Sequence, residues 1–238
     1  MQQARLKRRY GVETEGHTPA IPYRETVQGK AEGHHRHKKQ SGGRGQFAEV
    51  YMRVAAKPQG EGFEYIDSVV GGSIPRQFIP EVEKGVQKFL SKGALAGCQV
   101  VDVSAELYDG KFHDVDSDQL SFQLAGERAF LDGFMKAKPV LLEPIMDVEI
   151  HVPERFTGDV AGNLSSVRGR LAGMEMDEGI QVIKAHVPLK EMQDYGTQLR
   201  SITAGEGSFT MSPAGYEQVP SNLQQEIVSA YKKAQEEA

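Results

Sequence analysis

One cysteine in 238 residues, Cys98, leaves no partner for an internal disulfide. A buried thiol in a reducing compartment is the expectation, since Cys98 stands in an apolar, alternating run. Long hydrophobic runs are missing as well. No stretch approaches the roughly 20 apolar residues that a membrane-spanning helix needs. The basic start, Met1 to Tyr10, has no hydrophobic core behind it, so neither a signal peptide nor a membrane partner is expected and the location expected is cytoplasmic. Two further absences concern chemistry. There is no GxxxxGK[ST] phosphate loop and no NKxD base-reading motif, so nucleoside triphosphate hydrolysis by this chain alone is excluded. Positive charge is also in deficit, with 28 Lys and Arg against 33 Asp and Glu and a net charge of −5. Attraction to a polyanion must therefore come from a local patch, because phosphate affinity arises at the contact and not from the isoelectric point.

Such a patch is present. Lys30, Arg36, Lys38, Lys39 and Arg44 face only Glu32 in the same stretch, a net +4 that leaves −9 for the remaining chain. The segment "GHHRHKKQSGGRGQF", residues 33 to 47, ends in glycines that permit positive φ and expose backbone amides. Val50, Met52 and Val54 alternate with Glu49, Tyr51 and Arg53, which predicts a half-buried strand paired with the extended residues 23 to 40 through a turn at Ser41 to Gln46.

The rest reads as mixed α/β. A strand is expected at 63 to 70, then a helix opened by Pro75 with Ile79, Val82, Val86, Phe89 and Leu90 on one face. A strand at 99 to 107 follows. A helix capped by Asp116 or Ser117 then runs to about Ala137, with Leu120, Leu124, Phe130 and Phe134 inward. From Leu142 a βαββαβ order matches a ferredoxin-like split βαβ domain: strands at 143 to 152, 171 to 177, 180 to 188 and 206 to 217, helices at 156 to 168 and 190 to 201. Ser221 and Gln224 look like a capping box opening a final helix whose stripe Leu223, Ile227, Tyr231 and Ala234 must dock on the body.

"QSGGRGQF" (40 to 47), "HDVDS" (113 to 117), "KAKPVLLEPIM" (136 to 146) and "TQLRSITAGEGSFTM" (197 to 211) resemble, in that order, the C-terminal part of the bacterial translation elongation factor G family. The preceding "RLKRRYGVETEGHTPAIPYRET" resembles the end of that family's third domain. The resemblance implies an α+β chain of two domains. Residues 1 to 22 would be a remnant of domain III, and 23 to 142 a domain IV-like, ribosomal protein S5 domain 2-like α/β domain. Residues 143 to 220 would be a domain V-like ferredoxin fold, and 221 to 238 a helix packing back on the first domain. It also implies a ribosome-binding module that promotes tRNA–mRNA translocation, in which this piece is not an enzyme. GTP and Mg belong to the full-length parent and no cofactor to this fragment. Its partners would be the small-subunit decoding region, large-subunit RNA and the tRNA–mRNA complex, approached as a monomer. The tip contacting RNA would comprise Ser41, Gly42, Gly43, Arg44, Gly45, Gln46, Lys111, His113 and Asp114. Lys30, Arg36, Lys38 and Lys39 would support it, and Arg200, Ser201 and Thr203 would be ribosome contacts of the fifth domain.

Plainer readings compete. His34, His35 and His37 could bind a metal, but on a strand only His35 and His37 share a face, so no metal site is expected. His113 beside Asp114 lacks a nucleophile or a third orienting group for catalysis. "HHRHKK", Lys111-Phe112 and "NLSSVRG" depart from the commonest family pattern and resemble a divergent paralogue. A ribosome-protection or recycling module, or a general RNA-binding module without translocase activity, is the alternative.

Overall fold

Alternation along residues 30 to 56 produces the framework of the functional end. The computed structural model describes residues 9–11, 19–40 and 45–237. Strand β1 is Arg24–Val27, β2 is Lys30–Lys39 and β3 is Gln46–Ala56. β2 and β3 pair antiparallel from Lys30↔Ala55 to Lys39↔Gln46. Ser41, Gly42, Gly43 and Arg44, expected to form the turn, lie outside the described residues. The order continues with β4 (Phe63–Asp67), helix α1 (Ile79–Lys92), β5 (Gln99–Val100), β6 (Val103–Lys111), α2 (Gln119–Lys136) and β7 (Pro139–Pro153). It ends with α3 (Thr157–Ser166), β8 (Arg170–Asp177), β9 (Ile180–Pro188), α4 (Leu189–Met192), α5 (Tyr195–Ile202), β10 (Ser208–Gln218) and α6 (Ser221–Glu236). The class is α+β.

Two compact units divide the chain, one of residues 23–143 and 217–238, the other of 1–22 and 144–216. In the larger unit a sheet ordered β2-β3-β6-β4 is antiparallel except for the parallel β4–β6 pair. One face is covered by α1 and α2. Val50, Met52, Val54, Val103, Ala105 and Leu107 are buried there against Phe89, Phe122, Phe130 and Phe134. Burial of each such side chain is worth about 1.5–3 kcal/mol, and the rings interlock, with Phe78 stacked on Phe122 at 4.7 Å and Phe89 edge-on to Phe130 at 5.2 Å. Gly33 lets β2 lie against α2: a Cβ there would stand 2.0 Å from the Ala129 carbonyl oxygen. Helix α6 belongs to this unit, where the Gln224 side chain accepts the Leu141 amide at 2.9 Å.

In the smaller unit residues 145–153 of β7 pair antiparallel with β9, β9 pairs antiparallel with β8, and β10 pairs with β7. Numbered within that unit, the order is 4-1-3-2 with a βαββαβ sequence, the ferredoxin-like arrangement. Val148, Ile150, Val160, Leu164, Ile183, Ala185, Val187, Tyr195 and Leu199 fill its core. No helix among the described residues is long and apolar enough to cross a membrane.

Several local expectations are corrected. The strand expected at 99 to 107 is broken at Asp102, whose φ of 56° turns the chain while its carboxylate accepts the Gly60 and Gly62 amides at 3.0 and 2.9 Å. Strand β6 then extends to Lys111, into what the sequence suggested was loop. The cap of α2 is Asp118, which accepts Ser121 N–H at 2.7 Å. Phe130 and Phe134 face inward as expected, together with Phe122, Ala125 and Ala129, whereas Leu120 is 52% exposed. The Ser221–Gln224 capping box does not form: Pro220 precedes α6 and Gln224 is committed to Leu141. Cys98 lies in the turn before β5 and is only partly buried. That burial, and then the Glu25 charge, push its thiol above the ordinary range.

Candidate nucleic-acid interface

At one end of the larger unit Gly45 and the start of β3 meet the loop that follows β6. Strand pairing puts Lys38 opposite Phe47 and Lys39 opposite Gln46, while Glu49 lies across from Lys111 on β6. Arg36, Lys38, Lys39, Lys111, His113 and Asp114 are therefore brought together around Gly45 and Gln46, all six of them exposed. Lys30 is not among them. Eight residues back along β2, at ~3.3 Å each, it lies roughly 26 Å away.

Four hydrogen bonds join the 113–117 loop to Gly45 and the start of β3 or brace it. The Gly45 amide donates to Asp116 Oδ1 at 3.1 Å and the Phe47 amide to the Asp116 carbonyl at 2.9 Å. Ser117 Oγ donates to the Phe47 carbonyl at 2.7 Å and accepts the His113 amide at 2.9 Å. A Cβ at Gly45 would stand 2.9 Å from the Asp116 carboxyl carbon and push that side chain aside. Within the loop, His113 Nδ1 faces the Val115 and Asp116 amides, each at 3.3 Å, and lies 3.6 Å from Asp116 Oδ2. A neutral ring accepting at Nδ1 carries its proton on Nε2. The His113 ring also meets Phe47 edge-on at 6.4 Å, and Arg36 lies over the other aromatic partner's ring, Phe47, at 5.3 Å.

Behind the tip, the open face of the sheet carries a buried carboxylate. Glu49 is 4% exposed, with His34 Nε2 at 2.9 Å, the Tyr51 hydroxyl donating at 3.1 Å and Lys111 Nζ at 3.8 Å. Burial alone would raise its pKa, but the bonds from His34 and Tyr51 and the charges of Lys111 and Arg36 outweigh it and hold the carboxyl below its usual value. His34 stacks on Tyr51 with centroids 4.2 Å apart. His35 and His37 lie on the opposite face, and His37 Nε2 is 3.0 Å from Gln46 Oε1. Among the described residues no cluster of three or more His, Cys, Asp or Glu could hold a metal.

In the smaller unit Arg200 and Ser201 are exposed on α5. Thr203 is not available for contact. It is fully buried, its hydroxyl donating to the Leu199 carbonyl at 2.7 Å and accepting the Gly207 amide at 2.9 Å to close the helix end. Sequence reasoning treated Asp116 and Ser117 as helix caps and missed their role between the loops. The only signal was the compact run "HDVDS", whose partners at 45 and 47 are some 70 positions away.

Two family models match the chain: "Elongation factor G, domain IV" over residues 19–138 and "Elongation factor G C-terminus" over residues 140–227. An elongation factor G-like protein of Thermotoga maritima is 49% identical over 234 residues, covering 98% of this chain and 34% of that protein. An elongation factor G of Aquifex pyrophilus is 49% identical over 224 residues, covering 94% and 32%. A crystal structure of a Thermus thermophilus protein superposes with a TM-score of 0.80 at 38% identity, covering 97% of this chain and 34% of that one. The chain thus spans about a third of the length of these relatives.

Proposed function

The chain belongs to the elongation factor G family, and from that premise we propose that it is the ribosome-binding C-terminal module of a translational GTPase, acting in tRNA–mRNA translocation. The larger unit acts as domain IV, with Gly45, Gln46, Lys111, His113 and Asp114 at the RNA-contacting tip and Arg36, Lys38 and Lys39 supporting them. Ser41, Gly42, Gly43 and Arg44 complete the glycine loop in this reading. The smaller unit acts as domain V, with Arg200 and Ser201 as its surface contacts. GTP and Mg are handled elsewhere in the full-length parent, in the portion of the relatives that this chain does not span.

The observation that carries the reading is the convergence of exposed cationic strand ends with the His113 loop at one end of the sheet, in a chain whose net charge is −5. That combination suits phosphate and 2′-hydroxyl contacts, which recognise RNA by shape. The job is mechanical: the tip occupies the space beside a codon–anticodon duplex while the transfer RNA and messenger advance.

Binding to purified small ribosomal subunits across a salt series tests this. With about four cations meeting phosphate, log affinity falls against log salt with a slope near −3 to −4. Replacing Lys38 and Lys39 with Ala lowers the slope by about two. An unchanged slope moves the contact surface elsewhere and removes this tip from the interface.

A further inference from the structure

Asp116 and Ser117 are the parts of the tip whose geometry exceeds what a helix start requires. The cap of α2 is already supplied by Asp118, so the two residues before it are free for another task. Their hydrogen bonds run sideways, to Gly45 and Phe47 on the neighbouring strand and to His113 within the loop. Ser117 is 8% exposed, and its one hydroxyl bridges the His113 amide and the Phe47 carbonyl, which fixes the start of the histidine loop to the start of β3. Asp116 completes the closure with its carboxylate on Gly45 and its carbonyl on Phe47.

We propose that Asp116 and Ser117 are positioning residues that clasp the His113 loop to the Gly45 end of β3, so that the loop and the strand end meet RNA as one preorganised surface. The proposal rests on the tip being an RNA contact and adds how that contact is held. Its chemical consequence concerns His113. The clasp keeps Nδ1 over the Val115 and Asp116 amides, so the ring offers solvent a hydrogen-bond donor, Nε2–H. Such a group selects an acceptor on the partner: a phosphate oxygen, a ribose hydroxyl oxygen or an unpaired base acceptor. Preorganisation matters for affinity because a loop ordered only on binding would lose that ordering entropy from the interaction.

The test has two arms. In the first, small ribosomal subunits are titrated with the wild-type chain, Asp116→Ala, Asp116→Asn, Gly45→Ala and the Gly45→Ala/Asp116→Ala double variant. Loss of the charge-assisted bond weakens binding about tenfold in Asp116→Ala. Asp116→Asn keeps the Oδ1 acceptor and stays within about threefold of wild type. The Gly45→Ala methyl displaces the same carboxylate, so the double variant is no weaker than the weaker single. Wild-type affinity in Asp116→Ala, equal weakness in Ala and Asn, or strict additivity overturns the proposal. The second arm reads the His113 ring nitrogens by NMR without RNA. The Nε2–H form dominates in wild type and averages with the Nδ1–H form in Ser117→Ala; an Nδ1–H ring in wild type, or no change in the variant, overturns it. Should wild type fail to bind subunits at all, the ribosome reading fails, and the ring measurement alone then decides the clasp.

Discussion

Glu25→Gln is expected to destabilise the larger unit more than any other single-atom change in it. The Glu25 side chain is fully buried and receives four backbone amides from the turn between α1 and β5. Ala94 and Leu95 donate to Oε2 at 2.7 and 3.0 Å, and Ala96 and Cys98 to Oε1 at 2.9 and 3.1 Å. A glutamine keeps one acceptor and turns an NH2 group onto the other two donors. A hydrogen bond to a charged group contributes about 1.5–3 kcal/mol, so two lost bonds set a ceiling of roughly 3–6 kcal/mol. Residues 94–97 are half-buried or exposed, and water can reach part of the orphaned amides, which brings the expectation to about 3 kcal/mol. With a urea dependence of about 2 kcal/mol per molar, the midpoint falls by about 1.5 M. The assay is urea unfolding monitored by amide exchange at Met52 and Val54, buried in the same unit. A fall below about 0.3 M means that the turn holds its shape without the carboxylate, and the role assigned to Glu25 is then wrong.

Three further outcomes are expected. Gly33→Ala sets a methyl 2.0 Å from the Ala129 carbonyl and 2.5 Å from the Gly133 nitrogen; backbone cannot swing aside, so α2 must move off β2 at a cost of about 3 kcal/mol, and a thermal melt within error of wild type refutes the close packing. Burial, then the charges of Arg128, His37 and His34, hold the His35 imidazole below its ordinary value, with Asp132 opposing them. The unfolded chain therefore takes up this proton first, and stability is lost as pH falls below about 6.5. His35→Gln flattens that loss in urea midpoints taken between about pH 7.5 and 5.5, and an unflattened profile assigns it to other groups. In a full-length factor, His113→Ala slows movement of the messenger while ribosome-stimulated GTP hydrolysis is nearly unchanged, and His113→Gln recovers part of the rate; equal loss in both assays sinks the positional role.

What could be read in the sequence was whatever depends on neighbours. The alternation Val50, Met52, Val54 gave the buried face of β3 because a pleated strand repeats every two residues. The order of strands and helices from residue 143 onward identified the ferredoxin-like unit for the same reason. What could not be read depends on partners far along the chain. Asp102 breaks a strand because Gly60 and Gly62 bond its carboxylate, and nothing local in "VVDVS" announces that. The start of α2 was read at Asp116 or Ser117, whereas Asp118 holds the first turn and the side chains of the other two are engaged with Gly45 and Phe47. At the interface, the cationic strand and the histidine loop were visible as motifs, whereas the burial of Thr203 and the distance of Lys30 from the turn were not.

The placement of acidic residues explains how an acidic chain keeps a cationic tip. Along the middle of the open face, Arg53 is held by Glu32 at 3.3 Å and Glu106 at 3.1 Å, and its guanidinium lies 4.1 Å above the Tyr108 ring. Nearer the tip, Glu49 draws in His34 and Lys111, but Lys111 only at 3.8 Å with its side chain 66% exposed. Directly opposite Glu49, Arg36 acts on that carboxylate through its charge and lies over the Phe47 ring, and among the described residues neither Lys38 nor Lys39 forms an ion pair. Pairing thus weakens progressively toward the turn. Counterions released on binding come from the cations left without internal partners, so affinity for a polyanion is concentrated at the strand ends while the middle of the sheet contributes stiffness. A substitution that adds a carboxylate beside Lys38, such as Phe47→Glu directly opposite it, extends the paired zone to the tip. It lowers affinity for small ribosomal subunits by about tenfold or more at low salt and much less at high salt. A loss independent of salt would place the effect in the Phe47 ring and its contacts with Arg36 and His113, not in charge.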